Sequence, residues 1–441
     1  MKQPYLSIVT ISRNDEHGGD PKRRTQIFID SYAWQAEHYK LETELILVDW
    51  NTSNDKQGLA EILEFPVNEY FYARVILVPP EVHEGFRYSS TLPIFQFIGK
   101  NAGIRRARGE FILATCMDTI LDDRLFEYVA RKNLNKDYIY RADIYDVNNS
   151  IPDAGHEEQQ AFCRNPQNED ISRRVHQKYR GLWEKNRINV KDAFSHKADF
   201  PWIEFICDKD IIIGKYIAEN EQNLNFTACG DFTLMHRETW FELRGHGEFE
   251  AYSWNIDSQL LTKAYFCGYT EVDFTPPLSL YHITHGFQET SKSAHITLFI
   301  QLDEIAKRNI PILDWESINA INNLLKLNPQ TVLNDDRWGL RDIDLAEYVF
   351  DTGGKQHLEI KPVPVNFLPL SAIKPEFYME ILGKKEIITV NVVREKHEPS
   401  KADKIVNRLR KHRIIWFTLL TSYRVLSKIY RLRYFFMGRK K

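Results

Sequence analysis

Three short segments carry residues suited to holding a charged ligand, and each follows an apolar run. "YLSIVTISRND" presents Thr10, Ser12, Arg13 and Asn14 as hydrogen-bonding groups. "ELILVDWNTS" ends on Asp49, a carboxylate that can accept from a base N–H or a ribose hydroxyl. "EFILATCMDT" ends on Asp118. A lone carboxylate is enough to hold Mg²⁺ when phosphate oxygens and waters complete the shell. Imidazole nitrogen is an accepted further ligand for Mn²⁺, and "LYHITH" supplies His282 and His285. Each residue taken alone also has a plain reading: Asp118 as a strand cap, Asp49 and the first-strand residues as ordinary loop groups, the histidines as loop or core residues.

The elements that must position these groups read as an alternation of strands and helices. Strands are expected at 5–12, 44–50, 73–80 and 110–117, with helices at 26–39, 93–108 and 122–134. Apolar strands of this length separated by helices form a mostly parallel sheet covered on both faces. Ligands in such sheets bind at the carboxyl ends of the strands, so the three polar ends converge on one cleft. The helix "KNAGIRRARGE" leads into the Asp118 strand and bears Lys100, Asn101, Arg105, Arg106 and Arg108. Arg105 lies three residues from Arg108 on a shared face, where a guanidinium suits a diphosphate or a base. A solvated basic face is the competing account of any one of these arginines.

Beyond this half, 146–190 is polar and turn-rich and reads as a surface excursion. A second core block occupies 225–285, a helical pattern runs from 286 to about 350, and 351–400 is irregular and punctuated by proline. "NDDRWGL" at 334–340 sets Trp338 among acids, either as a lip for stacking a sugar or as a buried Trp beside a capped helix start.

The order and spacing of "LSIVTISRND", "ELILVDWNTS", "KNAGIRRARGEFILATCMDTIL" and "GDFTLMHRETWFELRGHGEF…YSWNIDSQLL" resemble family-2-like glycosyltransferases of the GT-A fold over roughly residues 5–285. The likeness extends to a bacterial surface-polysaccharide subgroup with a single Asp after the strand, followed by "YRADIYDV" and "ACGDFTLM". It implies transfer of a hexosyl or N-acetylhexosaminyl unit from a nucleoside diphosphate, UDP first among them. The acceptor would be a hydroxyl of a glycan or lipid-linked saccharide in capsule, lipopolysaccharide or exopolysaccharide synthesis, with Mn²⁺ or Mg²⁺ as cofactor and inversion at the anomeric carbon. Carried onto this chain, Thr10, Ser12, Arg13, Asp49, Lys100, Asn101 and Arg105 would bind the donor. Asp118 with His282 or His285 would hold the cation. Asp257 stands where the family has an acidic pair and would be the base, Ile256 replacing the first acid; Asp231 is the competing acid or an acceptor-orienting group. The implied fold is an α/β GT-A domain at 1–285 (1–145 nucleotide-binding half, 146–224 excursion, 225–285 acceptor half), then a helical and irregular extension at 286–400 and a basic amphipathic tail at 401–441. The missing first acids motivate a second reading, a catalytically silent nucleotide-sugar-binding or scaffolding module. A sugar nucleotidyltransferase would need a Gly-rich basic loop after the first strand, and none is there.

Net charge over the 441 residues is −3, but 401–441 holds thirteen Lys and Arg against one Asp. That tail reads first as an interfacial helix on an anionic inner leaflet, second as a segment docked on protein, and last as a nucleic-acid binder. No recognised nucleic-acid motif accompanies it. The five cysteines form no CxxC pair, which fits free thiols in a reducing compartment. The first residues lack a charged-then-apolar leader, and no apolar run reaches the roughly 20 residues of a membrane span. The expected location is cytoplasmic, with the tail on the inner membrane face.

Overall fold

The computed structural model describes residues 3–15, 19–169, 203–208, 211–216, 224–226, 228–285, 310–329, 331 and 333–358. The elements begin with β1 (Leu6–Ser12), α1 (Pro21–Tyr39), β2 (Thr43–Trp50), α2 (Leu59–Ile62), β3 (Phe71–Val78), α3 (Pro80–Glu84) and α4 (Gln96–Arg106). They continue with β4 (Phe111–Thr115), β5 (Thr119–Leu121), α5 (Asp123–Ala130), β6 (Tyr138–Val147) and α6 (His156–Arg164). A hairpin, β7 (Ile203–Asp208) and β8 (Ile211–Tyr216), precedes β9 (Phe232–His236), helices Arg237–Leu243 and Ile256–Phe266, and β10 (Thr270–Ile283). Helix Trp315–Leu327 and strands β11 (Glu347–Asp351) and β12 (Gly354–Leu358) follow.

The architecture is α/β, as expected: a ten-stranded central sheet flanked by helices, in the order β12-β11-β3-β2-β1-β4-β9-β6-β10-β5. The stretch β3-β2-β1-β4 is parallel. Every residue of β1 and β2 is buried, which is what apolar runs covered on both faces demand. Helix α4 packs onto β1 through two glycines. A Cβ on Gly99 would stand 2.1 Å from Ile11 Cδ1, and one on Gly103 would stand 2.5 Å from Val9 Cγ1. The second half adds β9, antiparallel to β4 and β6, and β10, parallel to β6.

Several expected boundaries move, each for a local reason. Helix α1 starts at Pro21 rather than 26, because Asp20 accepts from Arg23 N at 3.2 Å and Pro occupies the first turn. The strand expected at 110–117 is broken: β4 stops at Thr115, the chain turns through Cys116–Asp118, and β5 then pairs antiparallel with β10. The turn is tied by Thr119 Oγ1, which donates to Cys116 O at 2.9 Å and lies 2.8 Å from Thr115 Oγ1. The excursion at 146–190 contains α6, docked on α1 by the stacking of Trp34 on His156 at 4.1 Å. Part of the segment expected as helical, and the start of the irregular one, form the β11–β12 hairpin, which extends the sheet beside β3. Its two-residue turn closes on Gly354 at φ 98°, and the aromatic and β-branched run Tyr348, Val349, Phe350 is the strand signal a helical reading overlooks. Arg74 secures this edge, bonded to Glu44 at 2.9 Å and to Glu347 at 2.5 Å; charges buried this deeply persist only when paired. The rest of the helical segment around 286–309 and the whole of 401–441 lie outside the described residues.

Candidate functional site

The break after β4 places Asp118 at the end of the parallel strands, and β10 with the two residues that follow it delivers two histidines. His282 lies between two neighbouring strands, registered with Asp146 of β6 and Thr119 of β5. Ile283 N donates to Asp118 O at 2.9 Å, so the turn and the strand end are joined by backbone. His285 Nε2 is 3.2 Å and His282 Nε2 is 3.7 Å from Asp118 Oδ2. One ligand atom from each of the three residues falls within 4.8 Å of the others. The donor set, one carboxylate and two imidazoles, suits Mn²⁺ and leaves coordination positions for phosphate oxygens and water.

A pocket of about 470 Å³ opens over this cluster, lined also by Ser12, Arg13, Met117, Asp231, Tyr252 and Ser253. A smaller recess of about 230 Å³ adjoins it, sharing Ser12 and Arg13 and bounded by Asn14, Asp20 and Thr25. Arg13 is held at the rim by Pro93 O at 2.9 Å and by Asp15 at 3.1 Å. Ser12 Oγ donates to Met117 Sδ at 3.3 Å, which fixes the turn against the end of β1.

The electrostatics centre on Asp118. Burial alone would raise its carboxyl, yet the facing His282 and His285 hold it far below the usual carboxylate range. Burial would lower the His282 imidazole, and the Asp118 carboxylate overrides this and raises it well above its ordinary value. Both shifts describe a carboxylate that favours positive charge beside it. Asp231 is shifted the other way, its carboxyl raised by burial. Burial also pushes the Cys116 thiol well up, so it enters the floor as a neutral packing group.

Two candidate acids face differently. Asp231 lines the pocket. Asp257 opens the helix Ile256–Phe266, accepts from Ser258 N at 2.9 Å, and sits behind Gly230, where an added Cβ would stand 3.0 Å from its Oδ2. The remaining sequence candidates are spread out. Thr10 is fully buried within β1. Asp49 is buried, its carboxyl raised by burial; it accepts the Thr52 hydroxyl and the Leu59 N–H at 2.7 Å, capping α2. Lys100 lies beneath the floor, donating to Gly230 O at 2.7 Å. Asn101 clasps the following loop, donating to His246 O at 2.8 Å and accepting from His246 N at 2.8 Å. Arg105 points to the far end of α4, donating to Trp338 O at 3.1 Å with its guanidinium 4.8 Å from the Trp338 ring. Trp338 itself is 3% exposed, a core residue rather than a sugar-stacking lip.

Two contributors, and one exposed residue beside the pocket in the chain, escape a reading of the sequence. Arg24, wholly buried, places Nε 3.9 Å from Asp118 Oδ2 and donates through Nη1 to Gly19 O. Its signal was present: Arg24, Phe28, Ser31, Tyr32 and Gln35 share the buried stripe of α1, and an arginine there needs a partner. Asp146, 2.8 Å from His282 Nδ1, has no local signal, since only sheet register pairs them. Trp254, 37% exposed, follows the pocket residues Tyr252 and Ser253 on a loop pinned by Tyr252 N to Pro311 O at 2.9 Å and by Asn255 Nδ2 to Leu313 O at 2.9 Å.

No family model and no curated protein matches the chain. Among solved structures it is similar to a crystal structure of GalNAc-T7 with UDP, GalNAc and Mn²⁺, at 13% identity and a TM-score of 0.36, covering 77% of this chain and 54% of that one. The chain thus spans about half the length of that neighbour, and a likeness this distant carries no weight in assigning a function.

Proposed function

We propose that the protein is a glycosyltransferase that uses a nucleoside-diphosphate sugar, UDP-linked first among candidates, with Mn²⁺ or Mg²⁺ bound at Asp118, His282 and His285. The observation that supports this most is the gathering of an acid and two histidines, far apart in the chain, on the floor of one pocket at the carboxyl ends of parallel strands. The order β3-β2-β1-β4, with ligand groups at the strand ends, is the arrangement of nucleotide-binding α/β sheets, in keeping with the GT-A resemblance. A bound divalent cation would supply Lewis acidity against the negative charge of a departing diphosphate. Ser12 and Arg13 bind the nucleotide end, with Arg13 offering its guanidinium at the rim.

Asp231 is the better-placed general base for the acceptor hydroxyl, because it lines the pocket, where burial raises its carboxyl. Asp257 then orders the Gly230–Asp231 turn from behind. A positioned base suits single displacement and hence inversion. Trp254, exposed and next in the chain after the pocket residues Tyr252 and Ser253, would offer a ring face to the acceptor sugar. A glycan or lipid-linked acceptor in surface-polysaccharide synthesis, and an inner-leaflet location through 401–441, rest on the motif resemblance and the tail's composition alone. Among the described residues no helix is long and apolar enough to cross a membrane.

The test is titration calorimetry of UDP with and without Mn²⁺, paired with hydrolysis of a panel of UDP-sugars. Metal-dependent binding with donor turnover is expected. Metal-dependent binding with no turnover on any donor selects the silent binding module, and metal-independent binding overturns the site.

A further inference from the structure

We propose that Asp146 is the positioning residue for His282: its carboxylate fixes the imidazole tautomer and presents Nε2 as a metal-ligating atom beside Asp118. The inference rests on the proposed metal site and assigns a role to a residue outside its ligand set.

His282 Nδ1 lies 2.8 Å from Asp146 Oδ1. An ionised carboxylate only accepts hydrogen bonds, so Nδ1 must be the donor. In a neutral imidazole the other nitrogen then carries the lone pair, and Nε2 is the nitrogen that faces Asp118 Oδ2 at 3.7 Å. The arrangement is built into the backbone. Asp146 and His282 are direct register partners on the parallel strands β6 and β10, and β5 on the other side of β10 pairs Thr119 with His282. The side chains of Asp146 and His282 are both largely buried, at 11% and 17% exposure, so water competes weakly for the bond. Sheet register therefore sets the ring's position and Asp146 sets its orientation, as outer carboxylates do for metal-bound histidines generally. The same contact raises the basicity of the ligating nitrogen, which favours Mn²⁺ over the harder Mg²⁺.

The test measures Mn²⁺ affinity of the full chain in the presence of UDP, by electron paramagnetic resonance of free Mn²⁺, for wild type, Asp146→Ala and Asp146→Asn. Asp146→Ala is expected to weaken Mn²⁺ roughly 10- to 100-fold. Asp146→Asn, whose amide oxygen still accepts from Nδ1–H, should recover part of that loss and show a smaller Mn²⁺-over-Mg²⁺ preference than wild type. Asp146→Asn is nearly isosteric and covers the case in which Asp146→Ala does not fold. Wild-type affinity in both variants, with only a lowered melting temperature of the metal-free protein, reduces Asp146 to a structural hydrogen bond and overturns the proposal. Failure of wild type itself to bind Mn²⁺ overturns the metal site and this proposal together, and is told apart by that control.

Discussion

Asp118 and His282 are held together twice: the backbone of the residue after His282 donates to the Asp118 carbonyl at 2.9 Å, and the His282 ring faces the Asp118 carboxylate at 3.7 Å. A carboxylate that shares a strand pairing with its partner histidine cannot drift from it without breaking the sheet. That rigidity makes Asp118 open to a clean substitution. Asp118→Asn keeps the shape of the turn and removes the charge, so Mn²⁺ binding should fall below detection in calorimetry; the urea midpoint in chelator should fall as well, because Arg24 is left buried without its carboxylate, and near-UV circular dichroism checks that the fold is kept. Retained Mn²⁺ affinity would return Asp118 to the role of a strand cap.

Arg24 brings a fixed positive charge to the same carboxylate from α1, and neither group is accessible enough for water to replace it. Arg24→Met should destabilise the metal-free protein by about 3 kcal/mol, the lower end for loss of one partner of a buried pair, since the histidines remain. Because a cation at Asp118 would replace part of the lost charge, saturating Mn²⁺ should restore some of this stability. Urea unfolding with and without Mn²⁺ checks both halves, and an identical deficit in the two conditions would separate Arg24 from the site.

Asp122 supplies a pH dependence separate from the Asp118–His282–His285 cluster. It is buried yet contacted by Arg124 at 2.7 Å, Arg164 at 3.0 Å and the Tyr281 hydroxyl at 2.8 Å. Burial opposes ionisation, but the two arginines prevail and lower its carboxyl to about 2. A carboxylate whose folded value is depressed contributes stability above its unfolded value near 3.9, and that contribution disappears as pH falls toward 2. Unfolding free energy should therefore drop by roughly 2 kcal/mol between pH 5 and pH 2 on this residue's account, and Asp122→Asn should remove that part of the slope.

The two tryptophans should separate cleanly. Trp338→Ala removes a buried ring packed by Arg105 and by Phe241 at 5.4 Å, and should cost about 3–5 kcal/mol. Trp254→Ala should cost clearly less, about 1 kcal/mol, because more than a third of the side chain already faces solvent. The same variant should leave UDP and Mn²⁺ affinities unchanged and weaken only acceptor use. Equal destabilisation in thermal melts would show that Trp254 serves the core.

Much of this site was legible in one dimension because the signals are local. The apolar runs of β1 and β2 specify strands buried on both faces, and a strand that must stay apolar to its end can place a polar group only where it leaves the sheet; hence order alone could send Ser12, Arg13 and Asp118 to one edge of the sheet, where they line one pocket. The pairing of "CMDT" with "LYHITH" was available only through motif order, and the structure brings the two together by an antiparallel contact. Residues such as Asn101 and Arg105 show where periodicity stops. It says which residues share a helix face, but not whether that face meets the cleft or the loops at 246 and 338.

The sequence by itself therefore determined the layers of the fold and the chemistry available at each strand end, since burial and periodicity act within a dozen residues. Tertiary structure alone decided that Asp231 faces the pocket while Asp257 lies behind Gly230, that Arg24 reaches Asp118 from another element, and that Asp146 stands level with His282. Those relations depend on register between strands distant in the chain, and backbone hydrogen bonding sets that register with little regard to which side chains it brings together.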